Sequence, residues 1–336
     1  MSVPRDFSLN DPKVSISGLR APFEHYLPAP TIFHEPWWLD AAAGASLRQV
    51  TVEKDGEIVG WLPFVATNAG PFTILRMPPF THLLGPVLSK GGGKPQSQFI
   101  RQKKIIRDLV DKLPGHHHFR QHMPLSPSYG LAFQECGFRI TPQYTFTIDC
   151  RKSLESIWNG MHHKTRQHVR RAEGRNIIET ADDPKVFIEF YLKNLALTQR
   201  RNREDFNAFP RLLAECRQRN CGQILCAKRM SGEPAAMVFL VWAGDVLYYL
   251  LSTRAPEAAD SGSVSLLIWS AIKVAHSHGL TLDLDGVTSK GTARFLSAFG
   301  GEIVMRLVAQ RSSALFGALH LAKRRLLQDH RAHIFS

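Results

Sequence analysis

Cysteine is scarce in this chain: Cys136, Cys150, Cys216, Cys221 and Cys226 are all there is among 336 residues. So few, and an odd number, exclude a disulfide framework, and the four-residue gaps between the last three do not match zinc-ribbon spacing. Free thiols in a reducing cytoplasm are the expectation. Long apolar runs are missing too, so no segment reads as a bilayer span. The opening MSVPRDFSLNDPK lacks the basic-then-apolar order of a secretory signal. Sustained heptads are absent, which leaves no coiled-coil arm. Acidic residues are outnumbered: 29 Asp and Glu against 42 Lys and Arg give a net charge of +13. That surplus calls for an anionic partner, with tRNA, a nucleotide-linked substrate, coenzyme A and an acidic membrane face as candidates.

What is present suffices for a full core, since 44% of residues are hydrophobic and the length suits two domains or one large two-lobed one. The most informative stretch is Val246–Val287. It predicts a strand over Val246–Ser252 and a polar entry over Arg254–Ser263. A helix over Val264–His278, capped by Ser261 or Ser263, and a second strand over Leu280–Val287 follow. The second strand alternates, with Asp283 and Asp285 on the face opposite Leu280, Leu282 and Leu284. Two carboxylates on a strand of such a unit are costly unless they line a cleft or find partners; Lys290 and Arg294 are the nearest cations. Backbone N–H groups at the start of the helix, near Ser261, Gly262 and Ser263, suit an anion.

The halves repeat in order. Leu47–Val65 reads as a hairpin around Lys54–Glu57, followed by a strand at Phe72–Arg76 and a Pro/Gly-rich loop. Then come a helix over Gln98–Leu113, a strand over His116–Pro124, a helical turn at Ser128–Cys136 and a strand over Phe138–Asp149. From Gln223 the same series recurs: a three-strand meander, loop, helix, strand, short helix ending at Gly300, and a strand over Ile303–Gln310. This predicts an α/β protein of two tandem modules, residues 1–150 and 151–336, each a mixed and mostly antiparallel sheet flanked by helices. The expectation is that residues 45–150 and 220–310 superpose as two sheets.

Between the halves, SLESIWNGMHHKTRQHVRRAEGR forms a helical pattern with clustered cations. Lys164, Arg166 and Arg170 on adjacent turns fit a phosphate clamp for the acceptor substrate, and equally a solvated basic face. Helices follow over Pro184–Thr198 and Phe206–Arg219. His116, His117 and His118 with His122 invite a metal reading, but consecutive strand residues point to alternate faces, so at most two converge with ease and a polar loop or strand edge is the expectation. Trp38 and His82, the latter in the Pro78–Pro86 loop, are candidates for an acceptor-pocket wall. Leu315, Phe316, Leu319 and Leu326 give the C-terminus a basic amphipathic helix that could touch a membrane or RNA, or pack on the second module.

Two patches carry a family resemblance. HKTRQHVRRAEGRNIIE is similar to the K-T-R-x-x-[IV]-[RK]-[RK]-A stretch, and LDLDGVTSKGTARFLSAFGGE to the D-x-x-G … F-K-x-x-F-G-G ending, of the GNAT acyltransferase superfamily. The branch is the one shared by Fem-type aminoacyltransferases and FemAB-like acetyltransferase domains. The resemblance implies twin GNAT-like modules and transfer of an acyl or aminoacyl group to an amine, without metal or covalent enzyme intermediate. The co-substrate would be acyl-CoA or aminoacyl-tRNA, neither tightly bound. The segment RAPEAADSGS lacks the [QR]-x-x-G-x-[GA] loop typical of acetyl-CoA sites, while the missing coiled-coil arm departs from tRNA-dependent Fem enzymes. On this footing Ser261, Gly262, Ser263, Lys290 and Arg294 are expected at the donor, Asp285 with Asp283 as catalytic carboxylates. The acceptor could be an amino sugar, a peptidoglycan precursor, a lipid-linked amine or a small metabolite. The rival class is a non-catalytic nucleic-acid-binding module using the same basic surface.

Overall fold

The computed structural model describes residues 27–202, 204–258, 262–287, 289–319 and 322. In the first half, helix α1 (Pro36–Ala43) precedes strands β1 (Leu47–Lys54), β2 (Glu57–Ala69), β3 (Phe72–Arg76) and the short β4 (Val87–Leu88). Helix α2 (Pro95–Asp111), β5 (His118–Met123), α3 (Pro127–Glu135) and β6 (Arg139–Asp149) complete it. The second half opens with α4 (Leu154–Gly160), α5 (His163–Glu173), β7 (Asn176–Ala181), α6 (Pro184–Leu197) and α7 (Phe209–Gln218). It continues with β8 (Gly222–Arg229), β9 (Pro234–Ala243), β10 (Val246–Arg254), α8 (Ser263–Ser277), β11 (Thr281–Asp283), α9 (Lys290–Ser297) and β12 (Glu302–Ser312).

Local chemistry accounts for most of these boundaries. Asp55 and Gly56 both take positive φ, as the tight β1–β2 hairpin requires. Proline stands in the first turn of α1, α2, α3 and α6, where its missing N–H costs nothing. Strand β7, NIIETA, is an element that the sequence pattern did not reveal. It is an edge strand with alternating exposure, paired only to β8. Strand β11 is shorter than the expected Leu280–Val287, because Asp285 adopts a left-handed conformation (φ 58°) that breaks the regular ladder, although the Leu284 and Val287 N–H groups still donate to Phe146 and Tyr144 of β6.

The two expected sheets are one. A single sheet of 12 strands among the described residues runs β1-β2-β3-β5-β12-β6-β11-β10-β9-β8-β7, with β4 beside β2. Read inward from either end of the repeated part, the order is a meander, a parallel strand that follows a helix, and then the last strand of the other half. β3 pairs parallel with β5, and β10 parallel with β11. β6 then pairs with β11, β12 with β5, and β6 with β12 across the centre. The two modules are thus present and pseudo-symmetric, but they exchange their closing strands. The exchange leaves no strand edge unpaired at the junction, an arrangement that disfavours edge-to-edge association.

The second module is covered on both faces. Leu266, Ile268 and Ile272 of α8 pack with Val169 of α5, Leu225 of β8 and Leu240 of β9 on one side. Phe187 of α6, Phe209 and Leu212 of α7, Trp38 of α1 and Phe33 just before it pack on Phe239 on the other. Such double coverage explains why β9 reads AAMVFLV with no alternation: Ala235–Val241 are all buried. The first module is closed by α2 and α3 through Ile106, Leu109 and Phe133 against Phe64 and Phe119.

Candidate active site

Strands β10 and β11 stay parallel for only three pairs, ending at Tyr248↔Asp283. Beyond that point β10 continues beside β9 to Arg254, with a register shift between Tyr249 and Leu251, while the other chain turns away. The strands diverge into a V, and polar groups collect where it opens.

Arg306, on β12 and only 3% exposed, grips both carboxylates there. Its Nη2 donates to Asp283 Oδ2 at 2.5 Å and its Nη1 to Asp285 Oδ1 at 2.9 Å. Asp283 Oδ1 accepts from the Asp285 backbone N–H at 2.9 Å and from the Thr145 hydroxyl of β6 at 2.7 Å. The second oxygen of Asp285 meets His82 Nδ1. Three strands and a loop from the first module therefore converge on one charge cluster. Burial by itself would raise the Asp285 carboxyl, but His82 and Arg306 outweigh it and hold it down to about 2. Burial likewise opposes a charge on His82, yet Asp285 overcomes it and raises the imidazole above its ordinary range. Asp283 and Asp285 thus find their cation on β12 rather than in Lys290 or Arg294. The signal that could have disclosed it is a lone arginine inside the apolar run IVMRLVA.

The loop that carries His82 is fixed from behind. Trp38, fully buried, donates its Nε1–H to Thr81 at 3.1 Å, so it supports the loop and has no surface to offer a substrate. Phe33 lies between the two sides of the V, stacked on His82 at 6.3 Å and tilted against Tyr248 at 4.8 Å.

A second feature adjoins α8. A cleft of about 980 Å³ is bounded by the α4–α5 corner, α5, the start of α8 and α9. Lys164, Arg254 and Arg294 line it, with Gly262, Ser263 and His168, and no carboxylate is among its described lining residues. Gly262 precedes α8 with φ +75°, and a Cβ there would come within 2.6 Å of the His168 carbonyl oxygen. Only glycine lets the first turn of α8 close against α5. The helix has no side-chain cap: Gly262 is the capping residue and Ser263 is already inside the helix. Ser261 lies outside the described residues.

The cleft brings together Lys164, Gly262, Ser263 and Arg294, so Lys164 stands with the expected donor groups rather than with the acceptor ones. Lys290, the first residue of α9, does not line it. Arg166 and Arg170 turn to the fold instead. Arg166 donates to the Asn159 carbonyl at the end of α4 (3.1 Å), and Arg170 lies 5.4 Å from the Trp158 ring centre. His168 and Arg254 are lining residues that sequence reasoning missed. Among the histidines weighed for metal binding, His116 approaches Arg311, His117 accepts from the Thr73 backbone and His118 from or to Ser312. Leu326 is outside the described part, while Phe316 rests on Phe72 and His118 with Leu315 and Leu319 exposed. Among the described residues no helix is long and apolar enough to cross a membrane.

Residues 160–295, which carry both strands of the V and most of the cleft's lining, match the family model described as acetyltransferase (GNAT) domain. No curated protein matches the chain. Among solved structures it is similar in fold to FemX, with a TM-score of 0.57 and 14% identity, covering 81% of this chain and 90% of that one. It is also similar to the C-terminal domain of a putative lysylphosphatidylglycerol synthetase from Agrobacterium fabrum (TM-score 0.56, 15% identity, 84% of this chain and 89% of that one). A third likeness is to L-PGS from Bacillus licheniformis, with a TM-score of 0.53, 12% identity, and coverage of 85% and 91%. The diverging parallel strands, the anion-suited cleft and the matched domain define the class, an N-acyltransferase. Residues 160–295 are thus similar to a GNAT acetyltransferase domain, and over most of its length the chain shares its fold with FemX.

Proposed function

We propose that this protein transfers an acyl group from an acyl-coenzyme A to an amine, with the donor's phosphates in the α5–α8–α9 cleft. The observation that carries this reading is the cleft's lining: three cations, the first turn of a 15-residue helix and no described carboxylate. That is the chemistry of a polyanion site. The volume of about 980 Å³ suits a nucleotide-sized co-substrate. From there the acyl chain would run along β10 to the V, where a backbone N–H past Tyr248 can face the oxyanion that forms when the amine attacks. An aminoacyl-tRNA donor presents the same phosphate chemistry and is the alternative that the experiment must separate.

Calorimetry with coenzyme A and with tRNA, followed by transfer assays to a panel of amino sugars and lipid-linked amines, tests the reading. Lys164→Ala and Arg294→Ala should each weaken coenzyme A binding by about 10- to 100-fold, the loss of one charge-assisted contact. Their melting temperatures should stay near that of the unaltered protein. Tight binding of tRNA with none of coenzyme A would shift the donor to aminoacyl-tRNA. Unchanged coenzyme A affinity in both variants would remove the cleft from the account.

A further inference from the structure

The carboxylate on which proton transfer would most simply rest, Asp285, is poorly suited to it. One oxygen is held by Arg306 and the other by His82, and both partners stabilise its charge. A carboxylate so stabilised has little affinity for the proton that the amine nitrogen must lose on attack. The group beside it is better matched. His82 spends Nδ1 on Asp285, which fixes its ring and leaves Nε2 as the nitrogen available to a substrate. Its side chain is 23% exposed, so it is not sealed in the core. It stands at the mouth of the V: Asp285 is two residues beyond the last β11 pair, and Phe33 links the ring to Tyr248 at the last β10 pair.

Resting on the acyltransferase reading above, we propose that His82 is the catalytic proton acceptor for the amine, with Asp285 as its positioning residue and Arg306 anchoring Asp285. The amine nitrogen bonds to the acyl carbon to form the oxyanion and gives its proton to Nε2; the oxyanion then re-forms the carbonyl, the C–S bond breaks, and the electron pair departs on the thiolate. The thiolate then takes a proton from His82 or solvent. The active site is in this way shared between modules, since His82 comes from the first and Asp285, Arg306 and the donor cleft from the second. The charged groups around the ring support the assignment. Asp285 and Glu204 favour its protonation, Arg306 opposes it, and His122 on β5, close enough to feel the same charges, is held neutral by burial. An imidazole held in place by a carboxylate on one nitrogen, with the other nitrogen free, suits a base that must take a proton and release it.

Two measurements test the proposal. With acetyl-coenzyme A and whichever amine of the panel is acylated, His82→Gln should lower kcat/KM by roughly 10²-fold and abolish the acid limb of its pH profile. Asp285→Asn should move that limb to lower pH, and added imidazole should restore part of the rate to His82→Gly. Full activity with an unchanged profile in His82→Gln would overturn it. Independently of turnover, NMR titration of the His82 ring should give a pKa above the ordinary imidazole range that falls in Asp285→Asn. If no donor and amine react, the acyltransferase reading fails while this titration still decides the dyad. A ring that titrates at or below the ordinary range, unmoved by Asp285→Asn, would refute it.

Discussion

Arg306 is the residue on which the centre of the molecule depends. It neutralises two carboxylates across β6 at 3% exposure, so Arg306→Leu leaves Asp283 buried without a cation and Asp285 with His82 alone. Breaking such a cluster from one side costs about 3–5 kcal/mol, and denaturant unfolding of Arg306→Leu should show a loss of that size. Restoring the balance with Asp283→Asn in the same chain should recover part of it. The histidines divide by sign. Burial pushes His34 down to about 3, and burial with nearby cations pushes His122 down to about 4. Both are protonated in the unfolded chain at a pH where the fold keeps them neutral. Their contribution is therefore full above about pH 6.5 and lost as the pH falls. His82 has the opposite sign: its contribution is present below about pH 6.5 and lost as the pH rises through its raised value. The depressed Asp285 carboxyl adds stability above its unfolded value of about 3.9, lost only as the pH falls through about 2. Melting curves should then show His82→Gln costing more at mildly acidic than at alkaline pH, and His122→Gln flattening the acid side.

At the scale of elements, α8 and its entry do most to position the site. Gly262→Ala must accommodate both a left-handed backbone and a 2.6 Å approach to the His168 carbonyl. It should push α8 away from α5, lower the melting temperature and weaken coenzyme A binding together, whereas Lys164→Ala should affect binding alone. Much of this element was readable in advance: the strand–helix–strand order and Gly262 follow from apolar spacing and a lone glycine. Where the donor-side groups meet was only half readable. Lys164 and Arg294 each stood out as cations, but their convergence depends on how α5 and α9 pack on α8, which spacing within one helix does not disclose. Strand β7 escaped because an edge strand with one wet face resembles an ordinary loop between two helices. Arg306 escaped because its partners lie 21 and 23 residues away in sequence, on a different element.

Over the whole molecule, the repeat of element order was legible and the single sheet was not. A meander, a parallel strand and a closing strand can each be read locally, but nothing local says which half a closing strand will join. Here β6 and β12 cross over, so neither half buries its own sheet edge. Residues 1–150 and 151–336 expressed separately should be unstable or aggregate, and should recover a cooperative melt when mixed. Two independently folded halves would contradict the exchange. The same arrangement places His82 of one half against Asp285 of the other, which under the proposed mechanism makes the junction the place where binding and chemistry meet. The most direct test of that account is hydrogen exchange with and without coenzyme A. Slowed exchange at 160–168, 262–266 and 291–298, with the first-module segments unaffected apart from the loop around His82, is the predicted result. Protection elsewhere on the chain, or none at saturating coenzyme A, would contradict it.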